Sequence, residues 1–489
     1  MFDICVIGGG AAGMTAAIIA KENNCQLNIC IAEKKQDLGK KLLATGNGKC
    51  NISNINCENH RETLDFFSSI GVITRTDNAG RIYPYTEEAR AVVEALSSRI
   101  QTLGIKVIRN CTVLDIAKKE NFVVKLETLN VSEKKAQPKI QNVEAKKILI
   151  ATGGKAGPEF GCSGDGYKFA REFGHTINKA TPILTAVETV EEFSKFAGIR
   201  AKGKVSLIKD IGDLIPQSAT AKQAAEIKQS ATIPQSATAK QAAEISQSAT
   251  AKQVATIPQS AIIPQSATAK QAAEIKQSAT IPQSATAKQA AATKQSATAE
   301  VIFAEEGEIQ FTKDGLSGIC VFNLTRHIEI ENGKTLEEGL REYKISVDFL
   351  PDIDIKDLLE QRKTIKDFTA KDLLRTFVRE PLALDILRQA QISPNKMASQ
   401  LEKNQLISLE KELHNWQVSI KMLKGWKFAQ VTKGGVDLGE INLQTMESKL
   451  VRGLFFAGEV IDYDGPCGGY NLQNAWETAI KAGKEMSNV

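Results

Sequence analysis

Aromatic residues are scarce in this chain of 489 residues, where Phe, Trp and Tyr together make up only 6%. Part of the shortage comes from one segment, since no glycine, cysteine, histidine or aromatic residue occurs between Ile215 and Glu300. The apolar residues of this segment are mostly alanine, which buries little area. We therefore expect it to form no ordinary hydrophobic core.

The same segment is repetitive. The unit IPQSATAKQAAEIKQSAT occurs verbatim at Ile215–Thr232 and Ile263–Thr280, and near copies begin at Ile233 and Ile281. Each copy offers only helices too short to be stable alone. We interpret residues 214–300 as a low-complexity insertion in a surface loop, which costs little because closure entropy rises slowly with loop length. A repeat-mediated binding arm is the alternative, and the sequence does not decide whether the repeat is ordered or functional.

The chain also lacks a strong charge of one sign. With 62 basic and 57 acidic residues its net charge is +5, which by itself is no footprint of nucleic-acid binding. No run of about twenty apolar residues is present, so we expect no membrane span. The nine cysteines are irregularly spaced without a C-x-x-C pair, so we expect reduced thiols, no metal site and a cytoplasmic location. The first strand starts at the N-terminus, so we also expect no signal peptide.

What the chain does have is a dinucleotide-binding pattern at its N-terminus. Phe2–Ile7 predicts a buried parallel strand, and Gly8, Gly10 and Gly13 follow as G-x-G-x-x-G. Such glycines allow a tight turn, a close approach to pyrophosphate and helix packing on the strand. A second strand ends at Glu33, where this fold places the carboxylate that binds a ribose hydroxyl. The alternative is an ordinary βαβ unit with a glycine-rich turn.

Two more glycine-rich segments follow strands. Residues 34–54 carry three glycines among lysines and asparagines. We expect this loop to meet phosphate or an electron-rich ring, and a solvated polar loop is the alternative. Near the C-terminus, Leu454–Ala457 predicts a strand that leads through Gly458 to a helix from about Tyr470.

No second G-x-G-x-x-G exists, so we expect one molecule to meet both chain ends, which favours FAD over NAD. A helix N-terminus at the flavin's pyrimidine edge would stabilise the negative charge of reduction. The alternative is that this segment is only the last βα unit of the sheet.

Several segments together resemble the BaiN/RdsA-like NAD(P)/FAD-dependent oxidoreductases: GGGAAG, GKKLLATGNGKCNISN, ATGG, SGDGY, GLSG and TMESKLVRGLFFAGEVIDYDG. The resemblance covers nearly the whole chain outside residues 214–300. It implies an α/β fold, with a three-layer, Rossmann-like FAD-binding domain of βαβ units built from residues 1–185 and 348–489. The helical part of that domain is expected at about 352–424. An inserted, mostly β, barrel-like domain is expected at 186–347, carrying the repeat.

The resemblance also implies cofactor-binding positions. The ADP half of FAD would meet Gly8, Gly10, Ala11, Ala12, Gly13 and Glu33, and the next loop would add Lys34, Lys41, Gly46, Lys49, Cys50 and Asn51. Val113 would touch the adenine, and Thr152, Gly153 and Gly154 the middle of the cofactor. The flavin would be surrounded by Gly458, Glu459, Gly468, Gly469, Tyr470, Asn471 and Leu472.

We therefore expect an FAD-dependent oxidoreductase that reduces a C=C bond, with NAD(P)H as transient electron donor. Cys50, Cys467 and Tyr470 are candidate proton donors because they lie in the two expected flavin loops. Two alternatives stay open: a flavin-dependent ribosomal RNA dihydrouridine synthase acting on a uridine, and a flavin-binding interaction protein with a repeat arm. The sequence does not give the substrate, the choice of NADH or NADPH, or the oligomeric state.

Overall fold

A computed structural model describes residues 1–129, 138–210, 299–331 and 333–488. The repeat copies lie outside these residues. The chain divides into two compact units, Met1–Ile208 with Val301–Val489, and Lys209–Glu300. Of the second unit, only the strand ends 209–210 and 299–300 are described.

The strands are β1 (Phe2–Ile7), β2 (Ile29–Ala32), β3 (Ser53–Asn54), β4 (Thr74–Thr76), β5 (Arg81–Pro84), β6 (Lys106–Ile108), β7 (Cys111–Lys118), β8 (Phe122–Thr128), β9 (Lys139–Ile150), β10 (Thr181–Ile183), β11 (Val187–Thr189), β12 (Arg200–Asp210), β13 (Ala299–Thr312), β14 (Gly315–Ser317), β15 (Tyr343–Asp348), β16 (Trp416–Leu423), β17 (Val431–Lys433) and β18 (Leu454–Phe456). The α-helices are α1 (Ala11–Asn23), α2 (Lys40–Ala44), α3 (His60–Ser69), α4 (Ala89–Thr102), α5 (Asp165–Glu172), α6 (Ile319–Thr325), α7 (Leu336–Leu340), α8 (Lys356–Lys363), α9 (Ala370–Leu374), α10 (Glu380–Gln389), α11 (Lys403–His414) and α12 (Tyr470–Met486).

The largest sheet has seven strands in the order β6-β2-β1-β9-β8-β7, with β18 also paired to β9. Strands β6, β2, β1, β9 and β18 run parallel, while β7 and β8 extend the sheet in antiparallel fashion. The short strands β1, β2 and β18 are almost wholly buried, as strands covered on both faces must be. The carboxyl ends of the parallel strands meet at one edge, which is where open α/β sheets bind ligands.

Both chain ends contribute to the core of this sheet, as expected for the Rossmann-like fold. Helix α12 crosses α1 so closely that a Cβ at Gly483 would lie 2.7 Å from the carbonyl oxygen of Ala16. The buried Trp476 of α12 packs edge-on against Phe67, with ring centroids 5.0 Å apart. Its indole nitrogen donates a hydrogen bond to the carbonyl of Ile52 at 2.9 Å.

A closed barrel forms the other architectural part, in the order β11-β14-β13-β12-β15-β16. Its core includes the buried Phe311 and Trp416, whose rings meet edge-to-face with centroids 5.7 Å apart. The buried faces of α8 to α11 belong to the same cluster as the barrel residues. The apolar residues of the helical segment at 352–424, which we had grouped with the FAD-binding domain, thus pack with the barrel. The predicted domain boundaries otherwise stay a prediction.

Two elements begin where polar residues join neighbouring segments. The first residues of strand β9, from Lys139, alternate with polar ones and pair with β8. Helix α11 begins at Lys403. The residues before it form a bridge between Met397 and Thr369 and a single 3₁₀ turn.

Candidate functional site

A cavity of about 1240 Å³ lies at the carboxyl edge of the parallel strands. Ligand pockets for drug-sized molecules are roughly 300–1,000 Å³, so this cavity has room for a dinucleotide and a further reactant. Residues from the first glycine motif, the C-terminal loop and the barrel all line it. The cavity therefore brings together segments from both chain ends and from the barrel.

The first glycine motif forms one end of the cavity. Gly8 has a φ of +104°, and a Cβ there would lie 2.5 Å from the carbonyl oxygen of Ala151. A Cβ at Gly13 would lie 1.9 Å from the carbonyl oxygen of Gly8, so this glycine permits the close packing of α1 on β1. A Cβ at Gly10, in contrast, would meet no atom within 4 Å in the described structure. Gly10, which lines the cavity, is thus open on the side where a Cβ would project.

Helix α1 points its N-terminus into this end. No side chain among the described residues caps α1, and its first turn contains no acidic residue. The first backbone N–H groups of a helix have no partner within the helix, and the helix dipole places positive charge beside them. This arrangement suits a pyrophosphate.

Glu33 stands beside the motif at the end of β2. One carboxylate oxygen accepts a hydrogen bond from the backbone N–H of Gly9 at 2.7 Å. The other accepts one from the backbone N–H of Lys35, also at 2.7 Å. These two bonds fix the carboxylate on the cavity wall. Each oxygen keeps a further lone pair that can accept a hydroxyl proton, as a ribose would require.

An ion pair joins the loop after β2 to the C-terminal segment. The Nζ of Lys41 lies 2.5 Å from a carboxylate oxygen of Glu459, and the other oxygen of Glu459 accepts a hydrogen bond from Thr432 N–H at 3.0 Å. Burial acts to lower the pKa of Lys41, but the Glu459 carboxylate outweighs it and the pKa is raised. Lys41 is therefore a fixed positive charge on the cavity wall. Lys34 makes a more exposed pair with Asp165 at 3.0 Å.

The C-terminal loop forms the second helix terminus on the cavity. Gly468 and Gly469 have φ of +122° and +102°, and a Cβ at Gly469 would lie 2.4 Å from the carbonyl oxygen of Ser53. Asn471 closes the loop, since its side chain accepts from the N–H of Gly465 and donates to the same residue's carbonyl, both at 2.8 Å. No described side chain caps α12, so its first amides face the cavity without a partner side chain.

Asn51 provides an independent sign of a missing ligand. It lines the cavity and is only 9% exposed. Its side-chain oxygen has no hydrogen-bond partner within the described part of the chain. A buried acceptor of this kind is costly unless a donor meets it. An N–H group of a flavin ring is a donor of the right chemistry, so the residues present fit FAD.

The barrel supplies a wall that the sequence did not predict. Strand β13 lines the cavity with Glu305, Glu306 and Glu308, and the start of α6 adds Cys320. The run E-E-G-E was visible in the sequence, but only the closed barrel brings it to the cavity. Arg200 of β12 pairs with Glu308 at 2.8 Å and also lines this wall.

Most predicted cofactor-binding residues line the cavity: Gly8, Gly10, Ala11, Ala12, Glu33, Lys34, Lys41, Gly46, Lys49, Asn51, Val113, Thr152, Gly153, Gly458, Glu459, Gly468, Gly469, Tyr470, Asn471 and Leu472. Gly13, Cys50 and Gly154 are not among the lining residues. Gly13 lies in α1, on the face that packs against β1, and a Cβ at Gly154 would lie 2.4 Å from the hydroxyl of Thr432. Cys50 is fully buried. The cofactor contacts themselves stay predictions.

The three candidate proton donors differ in their surroundings. Burial raises the pKa of Cys50 to about 12, and its side chain is not on the cavity wall. Cys467 lines the cavity, but burial, and then the charge of Glu305, raises its pKa to about 12. A proton donor works best with a pKa near the operating pH, so neither thiol is well suited. Tyr470 lines the cavity and is the remaining candidate.

The described residues contain no group of three or more His, Cys, Asp or Glu side chains placed to hold a metal ion. None of the described helices is both long and apolar enough to span a bilayer. All nine cysteines are unpaired.

Comparison with known proteins gives two family matches. Residues 58–485 match the model for the HI0933-like protein Rossmann domain, and residues 3–63 match the model for an FAD binding domain. The second match covers the first glycine motif and most of the loop after β2. These matches support FAD as the cofactor of the cavity.

Similar curated proteins include the 3-dehydro-bile acid delta(4,6)-reductase of Clostridium scindens, which is 28% identical over 99% of this chain and 98% of its own length. The ribosomal RNA dihydrouridine synthases of Escherichia coli and Haemophilus influenzae are 23% and 22% identical over the same shares. Among solved structures, the open conformation of a flavocytochrome c3 fumarate reductase covers 100% of this chain and 77% of its own at 14% identity and a TM-score of 0.38, from which we infer nothing.

Proposed function

Because this chain belongs to the HI0933-like family of Rossmann proteins and is an FAD-dependent oxidoreductase, we propose that it reduces a C=C bond of a small, uncharged acceptor with NAD(P)H as electron donor. The observation that carries the proposal is the single cavity lined by two uncapped helix N-termini and by the barrel. One helix terminus suits the pyrophosphate, the other suits the reduced ring, and the barrel leaves room for an acceptor.

The overall reaction consumes one NAD(P)H and one proton, and converts the C=C bond to CH–CH while NAD(P)H is oxidised to NAD(P)⁺. When bound, FAD supplies the hydride transfer between donor and acceptor. The chain's own residues bind, orient and stabilise charge. Tyr470 is the candidate that delivers the proton, since it lines the cavity and begins α12.

The helix terminus of α12 stabilises negative charge at the ring end of the cavity. Its first amides and the helix dipole offer partial positive charge without needing to reorient during the reaction. The Lys41–Glu459 pair joins the loop after β2 to the C-terminal segment that follows β18. Together these groups hold the cofactor at both ends.

The side of the cavity formed by barrel strand β13, which we call the acceptor wall, favours a small uncharged acceptor over RNA. Glu305, Glu306 and Glu308 line the cavity within four positions of one strand, and Arg200 of the neighbouring strand pairs with Glu308. A nucleic acid carries a phosphate at each nucleotide, and like charges in a cleft repel. An α,β-unsaturated ketone carries no such charge and can enter.

RNA modification is the second candidate, since two of the similar proteins are named ribosomal RNA dihydrouridine synthases. A local feature favours it: the guanidinium of Arg75 lies 5.7 Å from the ring centroid of the exposed Tyr85, near the cavity-lining Tyr83. Stacked Arg and aromatic side chains are used to bind unpaired bases. Arg75 and Lys49 both pair with Glu87, however, which offsets their charge.

The alternative of a flavin-binding interaction protein rests on the repeat, which lies outside the described residues.

A cytoplasmic location is also part of the proposal. It is supported by nine unpaired cysteines, several of them buried in the nucleotide-binding core.

Reoxidation of the reduced holoenzyme distinguishes the two acceptors. The protein is reduced anaerobically with one equivalent of dithionite, and flavin absorbance is followed by stopped flow after mixing with a cyclic enone or a uridine-containing ribosomal RNA fragment. We expect the enone to restore the oxidised spectrum and RNA to have no effect. Reoxidation by RNA that weakens steeply with salt would favour the second candidate. Failure of every enone in a panel of different sizes would contradict the first.

A further inference from the structure

The loop of residues 464–469, which we call the flavin-side loop, is held from two directions. We propose that Glu305, Asn323 and Arg326 of the barrel act as positioning residues that fix this loop against the acceptor wall. The inference rests on the proposed function, because it assumes that the loop borders the flavin. Its contacts, however, are properties of the chain alone.

Asn323 makes the central contact. It lies on α6 and is 5% exposed. Its side-chain oxygen accepts the backbone N–H of Cys467 at 2.8 Å. Its side-chain nitrogen donates to both carboxylate oxygens of Glu305, at 2.8 and 3.1 Å. One side chain therefore joins the flavin-side loop to the acidic strand β13.

The hydrogen bonds from Cys467 N–H to Asn323 and from Asn323 to Glu305, which we call the relay, require an amide side chain at the middle position. A backbone N–H is only a donor and a carboxylate is only an acceptor, so the residue between them must accept on one side and donate on the other. An amide meets both needs. Aspartate at this position would place two carboxylates face to face, which is costly at a buried site.

Arg326 binds the same loop just beyond the end of α6. Its Nε donates to the carboxylate of Asp464 at 2.8 Å, and a terminal nitrogen donates to the carbonyl of the same residue at 2.8 Å. Both side chains of the pair are about one-fifth exposed, at 22% and 17%. Asn323 and Arg326 are three residues apart and so lie on one side of the chain. They hold the first and the fourth residue of the loop.

The nucleotide-binding part holds the other side of the loop. Asn471 binds Gly465, and the side-chain nitrogen of Asn54 donates to the carbonyl of Gly468 at 3.0 Å. The loop is thus fixed between the barrel and the sheet. Loss of the hydrogen bonds between the loop and the barrel should move the loop amides that face the cofactor. The midpoint potential of the flavin should then become more negative.

A pair of substitutions tests the relay. Asn323→Asp removes the donor, whereas Asn323→Asp with Glu305→Gln exchanges the amide and the carboxylate and restores the hydrogen-bond pattern. Asn323→Asp with Glu306→Gln has the same net charge as the restored variant but changes a neighbouring residue outside the relay. It is therefore the matched control.

The first readout uses the apoprotein and needs no turnover. Cys467 is modified with a maleimide and quantified by mass spectrometry, with the exposed Cys25 as internal reference. Loss of one charge-assisted hydrogen bond should raise the labelling rate of Cys467 about tenfold in Asn323→Asp. The Glu305→Gln double variant should return it to within about twofold of the wild type by the same reasoning.

The second readout is the midpoint potential of the bound flavin. We expect it to become more negative in Asn323→Asp and to return with Glu305→Gln but not with Glu306→Gln. A merely structural role would change thermal stability without this pattern. If Asn323→Asp does not fold, Arg326→Gln should raise Cys467 labelling and lower the potential in the same way.

The inference would be overturned if Asn323→Asp had the Cys467 labelling rate and the flavin midpoint potential of the wild type. It would also be overturned if Glu305→Gln and Glu306→Gln rescued Asn323→Asp equally. These outcomes are separable from failure of the proposed function. A wild-type protein that binds FAD but is not reduced by NADH or NADPH would refute the electron donor, while Cys467 labelling would still test the loop.

Discussion

The two ends of the cavity are built by different means. At the phosphate end the protein uses backbone: Gly8 and Gly10 leave space, and the first amides of α1 face inward. At the acceptor end it uses side chains from the barrel, including Glu305 and Glu308. A backbone site accepts any dinucleotide of the right shape, whereas a side-chain wall can be changed to suit different acceptors.

The two ends therefore place different demands on the residues that form them. The cofactor end requires glycines at fixed positions, so its sequence can vary little. The acceptor end requires only a folded barrel whose side chains face the cavity. Changes at the two ends should therefore have separable effects.

The largest effect is expected at Gly13. In Gly13→Ala the new Cβ would lie 1.9 Å from the carbonyl oxygen of Gly8, so α1 must move away from β1. We expect loss of bound FAD and a lower melting temperature, measured by flavin absorbance per protein and by thermal unfolding.

Gly10→Ala is the matched control, since its Cβ would meet no described atom and its φ is −82°. The apoprotein should melt as the wild type does, while FAD binding weakens because the methyl group enters the pyrophosphate site. Equal melting of Gly13→Ala and wild type would contradict the backbone account of this end.

A smaller effect is expected for Lys41→Met, which leaves the carboxylate of Glu459 without its cation. The two side chains are 26% and 19% exposed, so we expect a loss of about 2 kcal/mol in the free energy of unfolding. Urea unfolding of the apoprotein measures it. Adding Glu459→Gln should recover part of the lost free energy of unfolding. No recovery would indicate that Lys41 stabilises the protein by packing rather than by its charge.

The acceptor end is tested by Glu306→Lys. Reversing this charge should strengthen binding of an RNA oligonucleotide by a few-fold while FAD content stays at the wild-type level, because Glu306 lies on the barrel wall. Fluorescence anisotropy at two salt concentrations measures the first quantity and flavin absorbance the second. A loss of FAD equal to that of Gly13→Ala would remove the distinction between the two ends.

The smallest effect concerns His175, which does not line the cavity. Its Nε2 lies 2.8 Å from the hydroxyl of Ser448 and its Nδ1 lies 3.2 Å from Glu440. Burial lowers the pKa of His175 despite the nearby Glu440 carboxylate. The folded protein thus prefers neutral histidine, so this stabilisation is full above the ordinary pKa of about 6.5 and is lost as the pH falls below it.

We expect the free energy of unfolding to fall between pH 7.5 and pH 5.5, and His175→Gln to reduce that fall. Urea unfolding at the two pH values measures it. The pKa of Glu440 is also lowered, by its hydrogen bonds from Thr176 and by His175. The stability that the Glu440 carboxylate contributes is therefore lost at a more acidic pH. An unchanged pH dependence in His175→Gln would assign the effect to other groups.

The sequence predicted the sheet end of the molecule well because local residues determine it. Strand β1, helix α1 and Glu33 are specified by glycine spacing and apolar runs, and the structure places them with little change in their bounds. The C-terminal helix, predicted from about Tyr470, was found for the same reason and spans Tyr470–Met486.

The acceptor wall could not be predicted in this way. Glu305 and Cys467 are far apart in the chain and are joined through Asn323, a polar residue in the mostly apolar run ICVFNLT. Cys50 was a candidate because of its place in a glycine-rich loop, but it is fully buried and is not among the residues that line the cavity. Sequence distance and residue type carry no information on such contacts.

The most direct test of the central claim is the visible spectrum of the purified protein before and after anaerobic addition of NADPH or NADH. We predict an oxidised flavin spectrum, release of FAD on denaturation, and bleaching by at least one of the two nucleotides. A colourless protein that cannot take up FAD would contradict the account, since the two helix termini and Asn51 would then serve a different ligand.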